Sequence, residues 1–400
     1  MMNRLLLTPL ALSLALSSAM PASAQNWVRT WAAAPLAAQR PGTERALPDL
    51  TDRTVRQVVR ISSGGDRLRI RLSNEESEDA IRVGAVRIAL SKPDGRIVPG
   101  SSRIVTFAGQ GGVVMAGHAP VISDPVAMAV KPGQRLTISI HLPDGGQRAT
   151  VHGHAAANAW IARGDQTDAV VMSDTTRFGQ RIMITGVDVE TRRPARTVVA
   201  FGDSITDGAR ATVDADTRYP DQLADRLRKG GMTSVAVANM GIGGNRLLAD
   251  GTGISALGRF DRDVLAVPGV SHVIVLEGVN DIGTATRDKK PLPTPEALIG
   301  AYRQMIARAR QHGVKVILAT ILPYKGAGYW SEEGEAVRAR VNDWIRTQRE
   351  SDGIADFDRA IRDPADPLRI AKAFDGGDAL HPNDAGFAAM AGAVDLRLLR

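Results

Sequence analysis

The sequence predicts an α/β protein in two parts, in which an all-β domain of sandwich or jelly-roll type precedes an α/β domain built on a parallel sheet. In the first half of the chain, short β-branched or alternating runs are separated by turn clusters such as Pro143-Asp144-Gly145-Gly146. After Arg192-Arg193-Pro194, apolar strand candidates alternate with helix candidates. Repeated β–α–β order is typical of a parallel sheet that helices cover on both faces.

The first 24 residues have the pattern of a secretory signal peptide. Arg4 supplies a positive charge, residues 5–16 are mostly apolar, and Ala22-Ser23-Ala24 has the small side chains of a cleavage site. No later stretch is apolar for long enough to cross a bilayer, and no cysteine is present to carry a lipid. We therefore expect an exported protein, periplasmic or extracellular, without a stable membrane anchor.

The composition excludes several kinds of chemistry. A chain of 400 residues without cysteine has no thiol nucleophile, thiolate metal site or disulfide. The formal net charge is +7, but the arginines are scattered and alternate with apolar residues, as in residues 67–72. This pattern favours the solvated side of a strand over a nucleic-acid surface. We expect no nucleic-acid partner, and the sequence makes no prediction about oligomeric state.

Residues 25–193 are predicted to form the β domain, which could bind carbohydrate, cover the active site or pack against the second domain. The strand candidates are residues 54–61, 67–73, 81–90, 135–142 and 182–189. His152-Gly153-His154 places two imidazoles on one face of a strand, at metal-ligand spacing. Because no third ligand is evident nearby, we expect hydrogen-bonded histidines and no metal.

Residues 194–400 are predicted to form the α/β domain. In residues 295–312, one apolar stripe follows Thr294 as N-cap and Pro295 at the first helical position. The strand candidates are 197–201, 234–239, 272–277, 314–321 and 354–357, and the helix candidates are 220–229, 256–265, 295–312, 332–350 and a closing helix from Asn383.

Ser204 is the candidate nucleophile. Gly202-Asp203-Ser204 follows a short apolar run, and a parallel strand delivers such a serine to the sheet edge where open α/β sheets bind ligands. A serine hydroxyl needs a histidine to take its proton, a carboxylate to orient that histidine, and donors for the oxyanion. The alternative is that Asp203 and Ser204 only begin a turn and cap the next helix.

His381 is the candidate base, because Asp378 stands three residues before it and one turn of chain lets the carboxylate reach Nδ1. The alternative is that both residues lie in a surface turn and have no catalytic role. Two other strand candidates end in possible oxyanion donors, the glycine-rich loop 239–245 and the side chain of Asn280. That loop lacks the Lys-Ser/Thr ending and the glycine spacing of a phosphate-binding loop.

Together these blocks resemble the SGNH hydrolase family, also called GDSL esterases and lipases. The matching blocks are Gly202-Asp203-Ser204, Asn239-x-Gly241-x-x-Gly244, Gly278-x-Asn280-Asp281 and Asp378-x-x-His381. The resemblance implies a flavodoxin-like three-layer α/β/α domain, with Ser204, Asp378 and His381 as the catalytic triad. It also implies that the Ser204 and Gly244 amides and the Asn280 side chain form the oxyanion hole. The β-rich first domain looks like that of exported bacterial members.

We therefore expect an exported serine esterase that works through an acyl-enzyme, needs no cofactor and acts on short acyl esters, such as acetyl esters, of carbohydrates. The alternatives are a lipid or lysophospholipid esterase, an O-acyltransferase, and a non-catalytic carbohydrate-binding protein. Tyr329 and Trp330 follow a strand candidate and could stack on a sugar or line an acyl pocket, or they could anchor a packed loop.

Overall fold

The computed structural model of the protein describes residues 26–39, 46–146 and 148–400. The predicted signal peptide lies outside the described residues. The part before residue 192 is built of strands, as follows: β1 (Asn26–Ala32), β2 (Arg53–Arg60), β3 (Gly65–Ser73), β4 (Ile81–Val83), β5 (Ala85–Leu90), β6 (Arg103–Ile104), β7 (Val113–Met115), β8 (Pro120–Ile122), β9 (Val126–Val130), β10 (Arg135–Leu142), β11 (Val151–His152), β12 (Ala159–Arg163), β13 (Thr176–Phe178), β14 (Arg181–Ile182) and β15 (Ile184–Thr191).

Two antiparallel sheets dominate this β-rich part, which confirms the fold predicted for it. One sheet has the order β1-β15-β3-β8, with β9 also paired to β3, and the other has the order β13-β12-β2-β10-β5-β6. Strand β3 shows why the alternating pattern forms such a layer, because Leu68, Ile70 and Leu72 are fully buried in the core of this part. The arginines between them form ion pairs, such as Arg69 with Asp188 at 3.1 Å, so they are less solvated than expected.

Two predicted strands are each divided in the structure. The run 81–90 is interrupted at Gly84, where an added Cβ would lie only 3.0 Å from the imidazole of His141. The run 182–189 is interrupted at Met183, whose φ of 62° is left-handed and cannot continue a strand. Backbone breaks of this kind leave no signal in the hydrophobic pattern.

The second part contains the predicted parallel sheet. Its strands are β16 (Arg196–Gly202), β17 (Val235–Gly241), β18 (Val270–Leu276), β19 (Lys315–Ala319) and β20 (Gly353–Ala355). They stand in the order β17-β16-β18-β19-β20 and all pair in parallel. This 2-1-3-4-5 order is that of flavodoxin-like folds, which bind ligands where the order reverses, here beside β16.

Helices follow the strands and pack in two groups. The helices are α1 (Ser204–Asp207), α2 (Tyr219–Lys229), α3 (Ala256–Phe260), α4 (Val279–Arg287), α5 (Pro295–Gln311), α6 (Glu332–Thr347), α7 (Phe357–Ile361) and α8 (Asp384–Ala393), with a π-helical turn at Asp261–Leu265 and a 3₁₀ turn at Leu396–Leu399. In one group, α8 packs against α2 and α7. In the other group, α5 packs against α3 and α6, and α6 also packs against α4. Helix α5 begins as predicted, because Thr294 Oγ1 accepts the amide of Ala297.

Helices α4 and α7 differ from the prediction. No helix was predicted after the strand candidate 272–277, but Asn280 lies in the first turn of α4, which Gly278 begins with a left-handed φ of 107°. The run 354–357 was expected to be a strand, yet α7 begins at Phe357 after Asp356 caps it. Both helices are short, with nine and five residues, so neither offers the long apolar stripe on which the helix predictions depended. Among the described residues, no helix combines the length and the apolarity needed to cross a membrane.

Candidate active site

The nucleophile candidate lies where β16 turns into α1. Asp203 caps this helix by accepting the amide of Ile205 at 2.9 Å, and Ser204 is its first residue. Gly202 permits the turn, since an added Cβ would lie 2.2 Å from Thr206 Oγ1. Asp203 therefore caps the helix, and Ser204 does not. The Ser204 side chain is 9% exposed at the carboxyl edge of the sheet, where it is available as a nucleophile.

Ser204, His381 and Asp378 form a hydrogen-bonded series. Ser204 Oγ lies 2.8 Å from His381 Nε2, and His381 Nδ1 lies 2.9 Å from Asp378 Oδ2. A carboxylate can only accept a hydrogen bond, so Nδ1 carries the proton and Nε2 is left to accept the serine hydroxyl. The three side chains thus have the geometry of a serine-histidine-aspartate triad.

The turn before α8 allows Asp378 to reach back to His381. Gly377 and Ala379, on either side of the aspartate, have left-handed φ angles of 98° and 57°. Asp378 Oδ1 accepts the amides of His381 and Leu380, at 2.9 and 3.1 Å. Burial works to raise the pKa of the Asp378 carboxyl, but the hydrogen bonds from His381 outweigh it and hold that pKa well below its usual range. The carboxylate is therefore charged at neutral pH.

The predicted oxyanion donors Gly244 and Asn280 follow the two strands that flank β16 and meet at the glycine loop. An added Cβ on Gly243 would lie 4.0 Å from the Cβ of Ser204, so the glycine loop contacts α1 closely. Gly244 follows with a left-handed φ of 77°. Asn280 Nδ2 donates one hydrogen to the carbonyl of Asn245 at 2.9 Å, which leaves its second amide hydrogen for another acceptor. The structure thus brings Asn280 to the glycine loop, as the sequence reasoning required.

Tyr329 contacts Asn280 in the structure. Its hydroxyl donates to Asn280 Oδ1 at 3.2 Å, and its ring covers Gly283, where an added Cβ would lie 1.9 Å from a ring carbon. Trp330 is half-buried against the core of the α/β domain. These contacts match the packed-anchor alternative for the loop, while the substrate-binding role of either residue stays a prediction.

A fully buried arginine lies beneath the site. Arg259 donates to the carbonyls of Gly202 and Met240, at 2.9 and 2.8 Å, and so joins the ends of β16 and β17. It also contacts Glu277 at the end of β18. Burial raises the pKa of Asp203 to about 7, and the charge of Asp281 adds to this rise. Burial also raises the pKa of Glu277, and the charge of Asp203 adds to that rise. The positive charge of Arg259 works to lower the pKa of both carboxyl groups.

Residues 200–389 match the model of the GDSL-like lipase/acylhydrolase family. Residues 200–389 are therefore a GDSL-like lipase/acylhydrolase domain. The chain that carries this domain is a hydrolase of ester bonds.

Several solved structures are similar to the GDSL domain. A lipase/acylhydrolase from Enterococcus faecalis is 20% identical and covers 50% of this chain and 92% of its own, with a TM-score of 0.39. A GDSL-like lipase from Bacteroides thetaiotaomicron is 18% identical and covers 51% and 88%, with a TM-score of 0.38. An acetyl xylan esterase, AlAXEase, is 21% identical and covers 49% and 96%, with a TM-score of 0.37. No curated protein matches the sequence.

Sequence reasoning missed two buried contacts beside the site, which involve Arg259 and His152. Arg259 had a usable signal, because its spacing from Ala256 and Asp263 places it on the buried side of its helix. His152 was expected to be hydrogen-bonded, but its partner Asp207, 55 positions later in the other domain, left no signal in the sequence. Within residues 26–39, 46–146 and 148–400, no group of three or more His, Cys, Asp or Glu side chains is placed to hold a metal ion.

Proposed function

We propose that this GDSL hydrolase is an exported serine esterase that works through an acyl-enzyme and prefers short acyl esters of carbohydrates. The observation that carries the proposal is the hydrogen-bonded series from Ser204 through His381 to Asp378. In this series the unprotonated Nε2 of the histidine faces the serine hydroxyl, and the protonated Nδ1 faces the carboxylate. This arrangement activates a serine hydroxyl.

The geometry supports the following steps. Ser204 Oγ attacks the ester carbonyl carbon while His381 Nε2 takes the hydroxyl proton, and the amides of Ser204 and Gly244 and the side chain of Asn280 stabilise the oxyanion. The imidazolium then protonates the leaving alcohol oxygen, and the carbon–oxygen bond of the ester breaks. Water attacks the acyl-enzyme with His381 as base, and the acid leaves as Ser204 regains its proton.

A small cavity beside the glycine loop supports the preference for a short acyl group. It has a volume of about 60 Å³ and lies between Leu36 and Val151 of the β domain and Gly243 and Thr252 of the GDSL domain. An engineered cavity of about 150 Å³ binds a benzene ring. The cavity adjoins the nucleophile through Gly243, whose added Cβ would lie 4.0 Å from the Cβ of Ser204. A space less than half the benzene-binding size suits an acyl group of a few carbons better than a fatty acyl chain.

The rim of the same cavity supports a hydroxylated alcohol. Gln39, Gln180 and Thr252 place polar side chains around it, and polar groups of this kind bond sugar hydroxyls better than lipid tails. The export part of the proposal rests on the predicted signal peptide.

The test is a panel of substrates with the purified protein and its Ser204→Ala variant. We expect p-nitrophenyl acetate to be hydrolysed faster than the butyrate, and the octanoate slowest, with release of acetate from acetylated xylan. Ser204→Ala should fold, as circular dichroism would show, and lose this activity. A fluorophosphonate should label Ser204 alone in the wild type. A variant within tenfold of wild-type activity would overturn the nucleophile assignment.

The panel also tests the alternatives. Preference for octanoate or for a lysophospholipid would favour the lipid esterase, and acetyl transfer to an added sugar in place of water would favour the O-acyltransferase. Binding of xylan without hydrolysis of any ester would favour a carbohydrate-binding protein.

A further inference from the structure

We propose that the β domain positions the oxyanion loop of the GDSL domain, because its His152 holds Asp207, which in turn holds the amide of Gly243 beside the predicted donor Gly244. The inference rests on the proposed serine-esterase function and adds two positioning residues to it. His152 and Asp207 would act on the reaction through the loop without contacting the substrate carbonyl.

The first contact joins the two domains in a buried place. His152 Nδ1 lies 2.9 Å from the carbonyl oxygen of Ala34, and Nε2 lies 2.9 Å from Asp207 Oδ1. His152 is 4% exposed and Asp207 is 2% exposed. A pair so fully removed from water cannot be replaced by solvent when one partner is lost.

The hydrogen-bond partners define the charge of this pair. Both ring nitrogens face atoms that only accept, a carbonyl oxygen and a carboxylate, so His152 donates from both and is an imidazolium. Burial works to lower the pKa of His152, but Asp207 outweighs it and the pKa is raised. Burial likewise works to raise the pKa of Asp207, but His152 outweighs it and the pKa is lowered. The contact is therefore a buried ion pair at neutral pH.

The second contact joins Asp207 to the glycine loop. Its other carboxylate oxygen, Oδ2, accepts the amide of Gly243 at 3.1 Å. Asp207 is the last residue of α1, the helix that begins with Ser204, and an added Cβ on Gly241 would lie 2.2 Å from the Asp207 amide. The loop and the nucleophile helix are thus held against each other at Asp207, so a shift of this carboxylate would move the Gly244 amide relative to Ser204.

Four variants test the proposal, with p-nitrophenyl acetate as substrate. His152→Gln removes the charge that faces Asp207, and Asp207→Ala removes the acceptor of the Gly243 amide. For each we expect kcat to fall by about 10- to 100-fold, the scale known for partners that orient metal ligands. We expect KM to change less than threefold, because the oxyanion exists only in the transition state.

Asp207→Asn is the conservative variant. Its side-chain oxygen can still accept the Gly243 amide while its NH₂ donates to a neutral His152, so we expect kcat within about threefold of wild type. His141→Gln is the matched control, since His141 also pairs with an aspartate, Asp52 at 3.2 Å, but within the β domain and at the surface. We expect it to leave kcat unchanged.

Melting temperature and fluorophosphonate titration of active sites accompany each kinetic measurement. A wild-type kcat in both His152→Gln and Asp207→Ala would overturn the inference while leaving the esterase function intact. A fall in rate that is fully explained by a smaller fraction of titratable active sites would overturn it in the same way. If His152→Gln does not fold, the contrast between Asp207→Ala and Asp207→Asn decides. The absence of any Ser204-dependent esterase activity in the wild type would instead overturn the proposed function.

Discussion

Replacement of Asp378 by asparagine separates a catalytic carboxylate from a surface-turn residue. In the wild type, one oxygen of Asp378 accepts two backbone amides and the other faces His381 Nδ1 and Arg210 Nε, at 2.9 and 3.0 Å. Asparagine has only one accepting oxygen. If it stays on the two amides, its NH₂ group faces two donors, and the imidazole must then present Nδ1 as an acceptor and carry its proton on Nε2.

A proton on Nε2 blocks the acceptance of the Ser204 proton, so the expected loss in kcat follows directly from the tautomer. The equivalent change in the serine-protease template costs ~10⁴-fold, which is about 5 kcal/mol of transition-state stabilisation. Stability should change little, because Arg210 is half exposed and its ion pair contributes on the order of 1 kcal/mol at most. The assay is steady-state hydrolysis of p-nitrophenyl acetate, with urea unfolding of both proteins.

The matched control is Arg210→Gln, which removes the surface ion partner of Asp378 and leaves the His381 hydrogen bond in place. We expect it to keep kcat within about tenfold of wild type. Equal rates for wild type and Asp378→Asn, with both proteins folded, would refute the role of Asp378 in orienting the histidine.

Three further predictions concern the residues behind the nucleophile. Asn280→Ala should lower kcat by ~10²–10³ with little change in KM, and an effect on KM alone would make Asn280 a ground-state binding residue. Tyr329→Phe keeps the ring over Gly283 but loses the hydroxyl on Asn280, so we expect about a tenfold lower kcat, and no further effect in the Asn280→Ala background. Arg259→Met should destabilise the protein by about 3–5 kcal/mol in urea unfolding, because it leaves Glu277 buried and unpaired. Since burial raises the pKa of Glu277, its protonation should make this deficit smaller at pH 5 than at pH 8, and an equal deficit would contradict the account.

Much of the site geometry was readable because parallel strands bring distant residues to one edge. Ser204 follows β16, the loop with Gly244 follows β17, and Asn280 follows β18, and these three strands are neighbours in the sheet. The Asp378-x-x-His381 spacing was informative for a local reason, since a short turn suffices to bring the carboxylate to the ring. Such signals depend only on strand order and near neighbours in sequence.

Contacts between the two parts of the chain could not be predicted from strand order or from near neighbours in sequence. The hydrogen bond between His152 and Asp207 depends on how the sandwich packs on the sheet, which no periodicity records. Arg69 illustrates the same point, because alternation placed it on the outer side of β3 but could not show that Asp188 of β15 would pair with it there. The strand break at Met183 depends on a left-handed backbone angle that a methionine side chain does not predict.

Strand β1 packs in both the β domain and the GDSL domain. Strand β1 pairs with β15 in the sandwich, yet it also packs against β17 of the parallel sheet. Ala32 at its end is buried in the core of the GDSL domain, whereas Ala236 of β17 is buried in the core of the sandwich. Because each core contains a residue of the other domain, the surface between them is fixed by close packing, which transmits small shifts instead of absorbing them. A side chain of the sandwich such as His152 can therefore hold Asp207 in place at the catalytic edge of the sheet.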